Sequence, residues 1–301
     1  MMKAAGLNVI RIAESTWSTC EPQPGVFDFT YVDRALDAAQ RAGIDVIVGT
    51  PTYAVPSWLV KLDPSVLAVT PNGEGKYGAR QIMNIVNATY RFYGERVIRS
   101  FGCVPNFLNY NGFPASFCIS VNDEVVHGIP RKDKILHEGD IVSIDAGLIY
   151  KGMHSDAART YGVGVITPEA QKLIDVTKES FFRGIEFAKD GHHLHEISAA
   201  IGDYAESFGY GVVRDLVGHG IGHALHEDPQ IPNFPQKRRG IKLLPGMTLA
   251  VEPMINLGRA DVAWLDDEWT VVTMDGSLSA HYENTILITD GEPEILTLTN
   301  L

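Results

Sequence analysis

Four carboxylates and one imidazole, each inside or beside an apolar strand-like run, limit how this chain can fold more than any other feature. Asp145 stands in IVSIDAG, Asp156 in MHSDAART, His219 in GHGIGHALHEDP, Glu252 in LAVEPMI and Glu283 in HYENTILIT. Ionised carboxylates are almost never buried without a partner, because desolvating one costs several kcal/mol even after relaxation. A strand that turns one inward needs a cation, a proton or a hydrogen-bond network to hold it. Any one of these acids, read alone, would be a solvent-facing strand residue. Together they match what a pair of divalent cations requires, and they demand a fold that gathers distant strands on one point.

The spacing of the two aspartates supports this. Residues 141–150 and 154–165 read as β-strands, and Lys151 with Gly152 makes a good two-residue hairpin turn. A turn there places Asp145 opposite Ala158 and Asp156 two positions further along. Period-two geometry then sets both aspartates on one face, diagonal neighbours roughly 7–8 Å apart. A slip of one residue would send one of them to the other face. Glu252 precedes Pro253, which forces extended backbone at a strand end. His219 lies between Gly218 and Gly220, so its backbone is expected outside the middle of any helix or strand. Oxygen-rich ligation with one imidazole disfavours a structural zinc site. It fits two ions that share bridging carboxylates and activate a water.

From about residue 101 to 301 the chain resembles the type I methionine aminopeptidases. The resemblance rests on LNYNGFPASFCISVNDEVVHGIP, GDIVSIDAG, GHGIGHALHEDP, LLPGMTLAVEPM and DEWTVVTMDGSLSAHYENTILIT, in family order and spacing. It implies the pita-bread fold, in which two α-β halves clasp a dinuclear centre of Co, Mn, Fe or Zn. Asp156, His219, Glu252 and Glu283 would hold the tighter ion, and Asp145 the second, with Asp156 and Glu283 as bridges. It also implies catalytic roles for Glu252 as proton shuttle and for His127 and His226 against the scissile peptide. Without the resemblance, His226 would read as a surface histidine. His223, four residues after His219, imitates a helical zinc motif but has no counterpart ligand and is read as a bystander. His192, His193 and His195 are read the same way, in a stretch between helices. Matching pocket positions are Phe107, Tyr110, Phe113, Cys118, Leu225 and Trp269, each an ordinary core residue if taken singly. Aromatic rings and a thiol would offer polarizable contacts to a methionine sulfur. Helices are expected over 168–189, capped by Thr167, and over 194–208, with Ile197, Ile201, Tyr204 and Phe208 on its apolar face.

The first hundred residues have another character. A strand over 8–12, a helix over 31–42 with Thr30 as N-cap and Gly43 past its end, and a strand over 44–48 make a βαβ unit. VIRIAESTWSTCEPQPGVFDF and VIVGTPTYAVPSWL resemble the β-galactosidases of glycoside hydrolase family 42, a (β/α)8 barrel, and RQIMNIVNATYRFYGERVIRS continues the likeness to about residue 100. The fold class is therefore expected to be an α/β and α+β hybrid. An incomplete barrel fragment (1–100) precedes a pita-bread domain (101–301) that lacks its first helices, with a linker over 99–106. Two barrel strands cannot close a barrel, and glycosidase chemistry needs two carboxylates. Glu14, at a strand end, is at most a substrate-site residue, so no glycosidase activity is expected. The helix over 31–42, or a second copy of the chain, is expected to cover the sheet face that the missing helices would leave bare.

Bulk properties narrow the partners. A net charge of −12 argues against nucleic acid or anionic membranes. No run approaches the roughly 18 apolar residues of a membrane span, and no secretory h-region is seen. Three cysteines without a CxxC pattern fit reduced thiols and a cytoplasmic setting. The expected function is metal-dependent removal of initiator methionine, with nascent polypeptide N-termini, met at the ribosome, as partners. The alternatives are an aminopeptidase of the same fold with another residue preference, and a non-catalytic hybrid that acts as a binding module or inactive shell.

Overall fold

A computed structural model describes residues 9–12, 17–42, 45–48, 55–67, 69–70, 73–74, 88–100, 102–131 and 133–297. The chain divides into two compact units, one within residues 1–101 and the other within 102–298.

The first unit opens with strand β1 (Val9–Ile12), helices α1 (Trp17–Cys20) and α2 (Thr30–Ala42), and strand β2 (Asp45–Val48). β1 and β2 pair in parallel, Val9 with Asp45 through Ile12 with Val48, so the segment is a βαβ unit. α2 begins one residue before its expected start. The Thr30 N–H donates to the Asp28 carboxylate at 3.0 Å, so Asp28 takes over the capping. Gly43, Glu14 and the strand-end positions Asn8 and Ile44 lie outside the described residues. Helix α3 (Ser57–Leu62), the short pair β3 (Val69–Thr70) and β4 (Gly73–Glu74), and helix α4 (Ala88–Ser100) complete the unit. Trp17, Val55, Leu59, Val66 and Leu67 form its core. Glu21 is fully buried there and is satisfied by the Trp17 Nε1–H at 2.8 Å and the Gly25 N–H at 2.7 Å.

The second unit runs through β5 (Cys103–Pro105), β6 (Cys118–Val121), β7 (Glu124–Val126), β8 (Ile141–Asp145), β9 (Leu148–Tyr150), β10 (Met153–Ser155) and β11 (Ala158–Gly162). Two helices follow, α5 (Pro168–Ile185) and α6 (Leu194–Glu206). Ten short strands then close it: β12 (Gly211–Val212), β13 (Gly218–Gly220), β14 (Glu227–Ile231), β15 (Thr248–Val251), β16 (Met254–Asn256), β17 (Val262–Trp264), β18 (Val271–Thr273), β19 (Ser279–His281), β20 (Asn284–Leu287) and β21 (Glu294–Ile295). The largest sheet runs β14-β13-β15-β20-β21, and the unit also holds three-stranded sheets β11-β8-β6, β10-β9-β5, β12-β16-β19 and β17-β18-β7.

The hairpin has the expected register, with Asp145 opposite Ala158 and Tyr150 opposite Met153. Lys151 (φ 50°) and Gly152 (φ 80°) both take the left-handed backbone that a tight two-residue hairpin needs. Its two arms are not continuous, however. Each breaks near an aspartate, after Asp145 and at Asp156, so β8 and β11 join one sheet and β9 and β10 another. The break leaves Asp156 outside a ladder. The Thr285 hydroxyl secures it there, accepting from the Asp156 N–H at 2.8 Å and donating to the Asp156 carbonyl at 2.9 Å.

Helix α5 starts as expected, with the Thr167 hydroxyl accepting from the Ala170 N–H at 3.1 Å. It stops four residues short of the expected end, because Phe187 and Ala188 donate to Gly184 and Ile185 in a tighter final turn. Ile197 and Ile201 of α6 are fully buried, whereas Phe208 lies beyond the helix and is exposed. His195 belongs to α6 rather than to the connection before it. Phe181, Ile197 and Ile201 pack with Ile231, Leu249, Val251 and Ile286 of the central sheet. The core therefore lies directly behind the strands that carry the candidate ligands.

Candidate metal centre and pocket

His219 is the middle residue of β13, against the expectation from its flanking glycines. It pairs with Ala250 of β15 on one side and Gln230 of β14 on the other, with a register shift at Gly220. The glycines serve close packing. A Cβ on Gly218 would stand 2.4 Å from the Ala250 carbonyl oxygen, and one on Gly220 would stand 2.3 Å from that of Asp228. The strand can thus press between its neighbours and project His219 from the sheet. Its Nδ1 lies 2.8 Å from the Gly220 carbonyl, which only accepts, so Nδ1 carries the proton and Nε2 offers its lone pair.

Asp145 ends β8, Asp156 sits in the hairpin break, Glu252 follows β15, and Glu283 lies between β19 and β20. Ligand atoms of Asp156, His219 and Glu283 all lie within 4.8 Å of one another, and all three residues are buried. Glu252 Oε1 is 3.5 Å from His219 Nε2. Asp145 Oδ1 is buried without a hydrogen-bond partner, and Asp156 Oδ1 accepts from the Ala157 N–H at 3.0 Å. Burial, with repulsion from Asp156, pushes Asp145, Glu252 and Glu283 well above the ordinary carboxylate range. Burial raises Asp156 to about 7. Burial also holds His127 and His219 down to about 4.

Among the described residues no lysine or arginine forms an ion pair with these carboxylates. Arg159 stands behind Glu283 but spends its donors on the Ala158 and Glu283 carbonyls and the Asn284 side chain. Four clustered acids, Asp156 and Glu283 buried and Asp145 and Glu252 half-buried, with an orphaned oxygen and an imidazole lone pair, form a set that repels itself without cations. That donor set fits divalent metal.

Phe107, Tyr110, Phe113, Cys118, Leu225 and Trp269 wall a cleft that is also lined by the five candidate ligands, His127 and His226. Phe113 and Trp269 meet edge to face at 5.1 Å, and His226 packs on His219 at 4.3 Å between ring centroids. The Tyr110 hydroxyl lies 2.7 Å from His226 Nδ1. His127 holds a left-handed backbone (φ 57°), an uncommon conformation for a non-glycine residue. His223 is exposed and does not line the cleft. One neighbour was not anticipated. His281, 2 % exposed, places Nε2 3.6 Å from Glu252 Oε2. Its position two residues before Glu283 in a strand-like run was the available signal.

Comparison with known proteins gives a consistent picture. A model of metallopeptidase family M24 matches residues 76–290, and one of the β-galactosidase family matches residues 1–128. The methionine aminopeptidase of Clostridium acetobutylicum is 57% identical over 204 residues, 68% of this chain and 82% of that protein. Methionine aminopeptidase 1 of Bacillus subtilis is 51% identical over 203 residues, 67% of this chain and 82% of that protein. The crystal structure of methionine aminopeptidase from Thermotoga maritima superposes with a TM-score of 0.70 at 40% identity, covering 80% of this chain and 92% of that one. X-Pro aminopeptidase from the same organism, at 16% identity and a TM-score of 0.55, shares the fold.

Proposed function

The chain belongs to metallopeptidase family M24, with its pita-bread fold, and on that footing we propose that it removes the N-terminal methionine of peptides and nascent proteins. The observation that carries this reading is the convergence of Asp156, His219 and Glu283 in the lining of a cleft walled by aromatic side chains. Asp145, Asp156, His219, Glu252 and Glu283 would hold two divalent ions, with Co, Mn, Fe and Zn all compatible with the donor set. When bound, such ions supply Lewis acidity that acidifies a water and polarises the scissile carbonyl.

The protein residues do the rest. Phe107, Tyr110, Phe113, Cys118 and Trp269 receive the unbranched thioether side chain and exclude branched or charged ones. Glu252 moves a proton from the attacking water towards the departing amine. His127 and His226 donate to the peptide and to the developing oxyanion. An uncharged imidazole can donate without bringing a second positive charge beside the ions. The cytoplasm, where nascent chains emerge, is the setting in which this substrate is met. Among the described residues no helix is long and apolar enough to cross a membrane.

Residues 1–100 form a glycoside hydrolase family 42-like fragment that takes no part in this chemistry. Hydrolysis of a chromogenic β-galactoside that is lost on Glu14→Ala would overturn that part of the reading. The main test is methionine release from Met-Gly-Met-Met by purified protein supplied with Co or Mn, beside Glu252→Ala. Metal-dependent release that disappears in the variant is the expected result. A soluble, metal-binding protein that releases nothing would point instead to an inactive shell.

A further inference from the structure

Glu252 has an imidazole against each carboxylate oxygen, and only one of the two has a role in the proposed chemistry. His219 Nε2 stands 3.5 Å from Oε1, and His281 Nε2 stands 3.6 Å from Oε2. His281 is 2 % exposed, and its Nε2 is buried without a hydrogen-bond partner. An unsatisfied buried donor is costly to keep, so the nitrogen needs an explanation.

The backbone of His281 is tightly fixed. It faces Met254 across the β16–β19 ladder, two residues beyond Glu252. Its N–H donates to Thr160 Oγ1 at 2.8 Å, and the Thr160 hydroxyl lies 3.0 Å from its carbonyl and 2.7 Å from Ser143 Oγ. The ring is therefore held beside Glu252 by two neighbouring strands. A carboxylate only accepts, so Nε2 must carry the proton for the contact to be favourable. A slight rotation of the carboxylate would bring the pair to hydrogen-bond distance.

We propose that His281 is a positioning residue for Glu252: its Nε2–H donates to Oε2, fixes the carboxylate plane and keeps Oε1 turned towards the metal side of His219. The inference rests on the metal-dependent reading above. It assigns His281 no contact with substrate and no place among the ligands. Its effect passes through one oxygen of Glu252. Groups that orient a ligand in this way typically change metal affinity or activity by about 10- to 100-fold when removed.

The test compares His281→Gln, which keeps an N–H donor at similar reach, with His281→Leu, which fills the space without one. Metal-free protein is titrated with Mn by calorimetry, and kcat and KM are measured on Met-Gly-Met-Met. The Leu variant is expected to bind Mn about tenfold or more weakly and to lose kcat to a similar degree, with KM within about threefold. The Gln variant is expected to stay within about threefold of the parent on all three. Should the Leu variant fail to fold by near-ultraviolet circular dichroism, His281→Asn, whose amide is too short to reach Oε2, takes its place with the same expected loss. A folded Leu or Asn variant that matches the parent in Mn affinity and kcat would overturn the inference. So would a Gln variant that falls as far as Leu, since shape and not the donor would then matter. A parent protein that takes up no Mn would overturn the metal reading itself, which separates the two failures.

Discussion

At the residue scale the pair Tyr110 and His226 offers a test of proton direction. Their 2.7 Å contact joins the phenol to Nδ1. If the phenol donates, Nδ1 accepts and Nε2 keeps its hydrogen, which is the donor an oxyanion would require. Replacing Tyr110 by Phe keeps the ring and removes only that hydrogen bond. We expect kcat on Met-Gly-Met-Met to fall by about 2- to 10-fold, the value of one ordinary hydrogen bond, with KM little changed. An unchanged kcat would remove the pair from the mechanism. The convergence of Asp156, His219 and Glu283 was legible in the sequence because a carboxylate inside an apolar strand-like run has few explanations. His281 was not, because a histidine in a strand reads equally well as core, and only its distance to Glu252 distinguishes it. The aromatic wall was legible through family resemblance alone, since Phe113 or Trp269 taken singly is ordinary core.

Elements show a sharper division between what pattern reveals and what packing decides. The hairpin register followed from alternation and a two-residue turn, and the βαβ order followed from periodicity. The breaks at Asp145 and Asp156 did not, because they arise where one hairpin serves two sheets, and that depends on partners far along the chain. The glycines around His219 were misjudged for a similar reason. Seen locally they loosen a strand, whereas in the sheet they let three strands close up. Gly218→Ala would drive a Cβ into a backbone carbonyl that cannot yield. The expected cost is about 1–3 kcal/mol, with weakened Mn binding because His219 moves with its strand. A Tm and a Mn isotherm equal to the parent's would contradict the close approach. Thr167→Ala removes the α5 cap at Ala170 and should cost about 1 kcal/mol in thermal or urea unfolding while leaving kcat unchanged, since the cap lies away from the cleft.

Across the whole molecule, the two units come from different sequence patterns, and the second alone contains every proposed ligand. Sizing chromatography decides whether a second copy covers any apolar sheet face, and a sharp monomer peak that binds no hydrophobic dye would count against that expectation. Stability against pH decides a larger matter, whether the buried acids are held together by cations. In metal-free protein the folded state keeps Asp145, Glu252 and Glu283 protonated well above the usual range, and Asp156 to about 7. Such groups bind protons more tightly when folded than when unfolded. Their contribution is complete at low pH and is lost as pH rises through the folded values. His127 and His219, held down to about 4, act in the opposite sense, but only below about 6.5, where the unfolded imidazole takes up protons. Above that value the carboxylates act alone. The Tm of metal-free protein should therefore fall between about pH 6.5 and 8.5, and Mn should restore more of it at the higher pH, because the cation replaces protons that are no longer available. A metal-free Tm that rises over that interval, or a Mn effect independent of pH, would mean that the four acids carry their charge without a cation, and the metal reading would lose its physical basis.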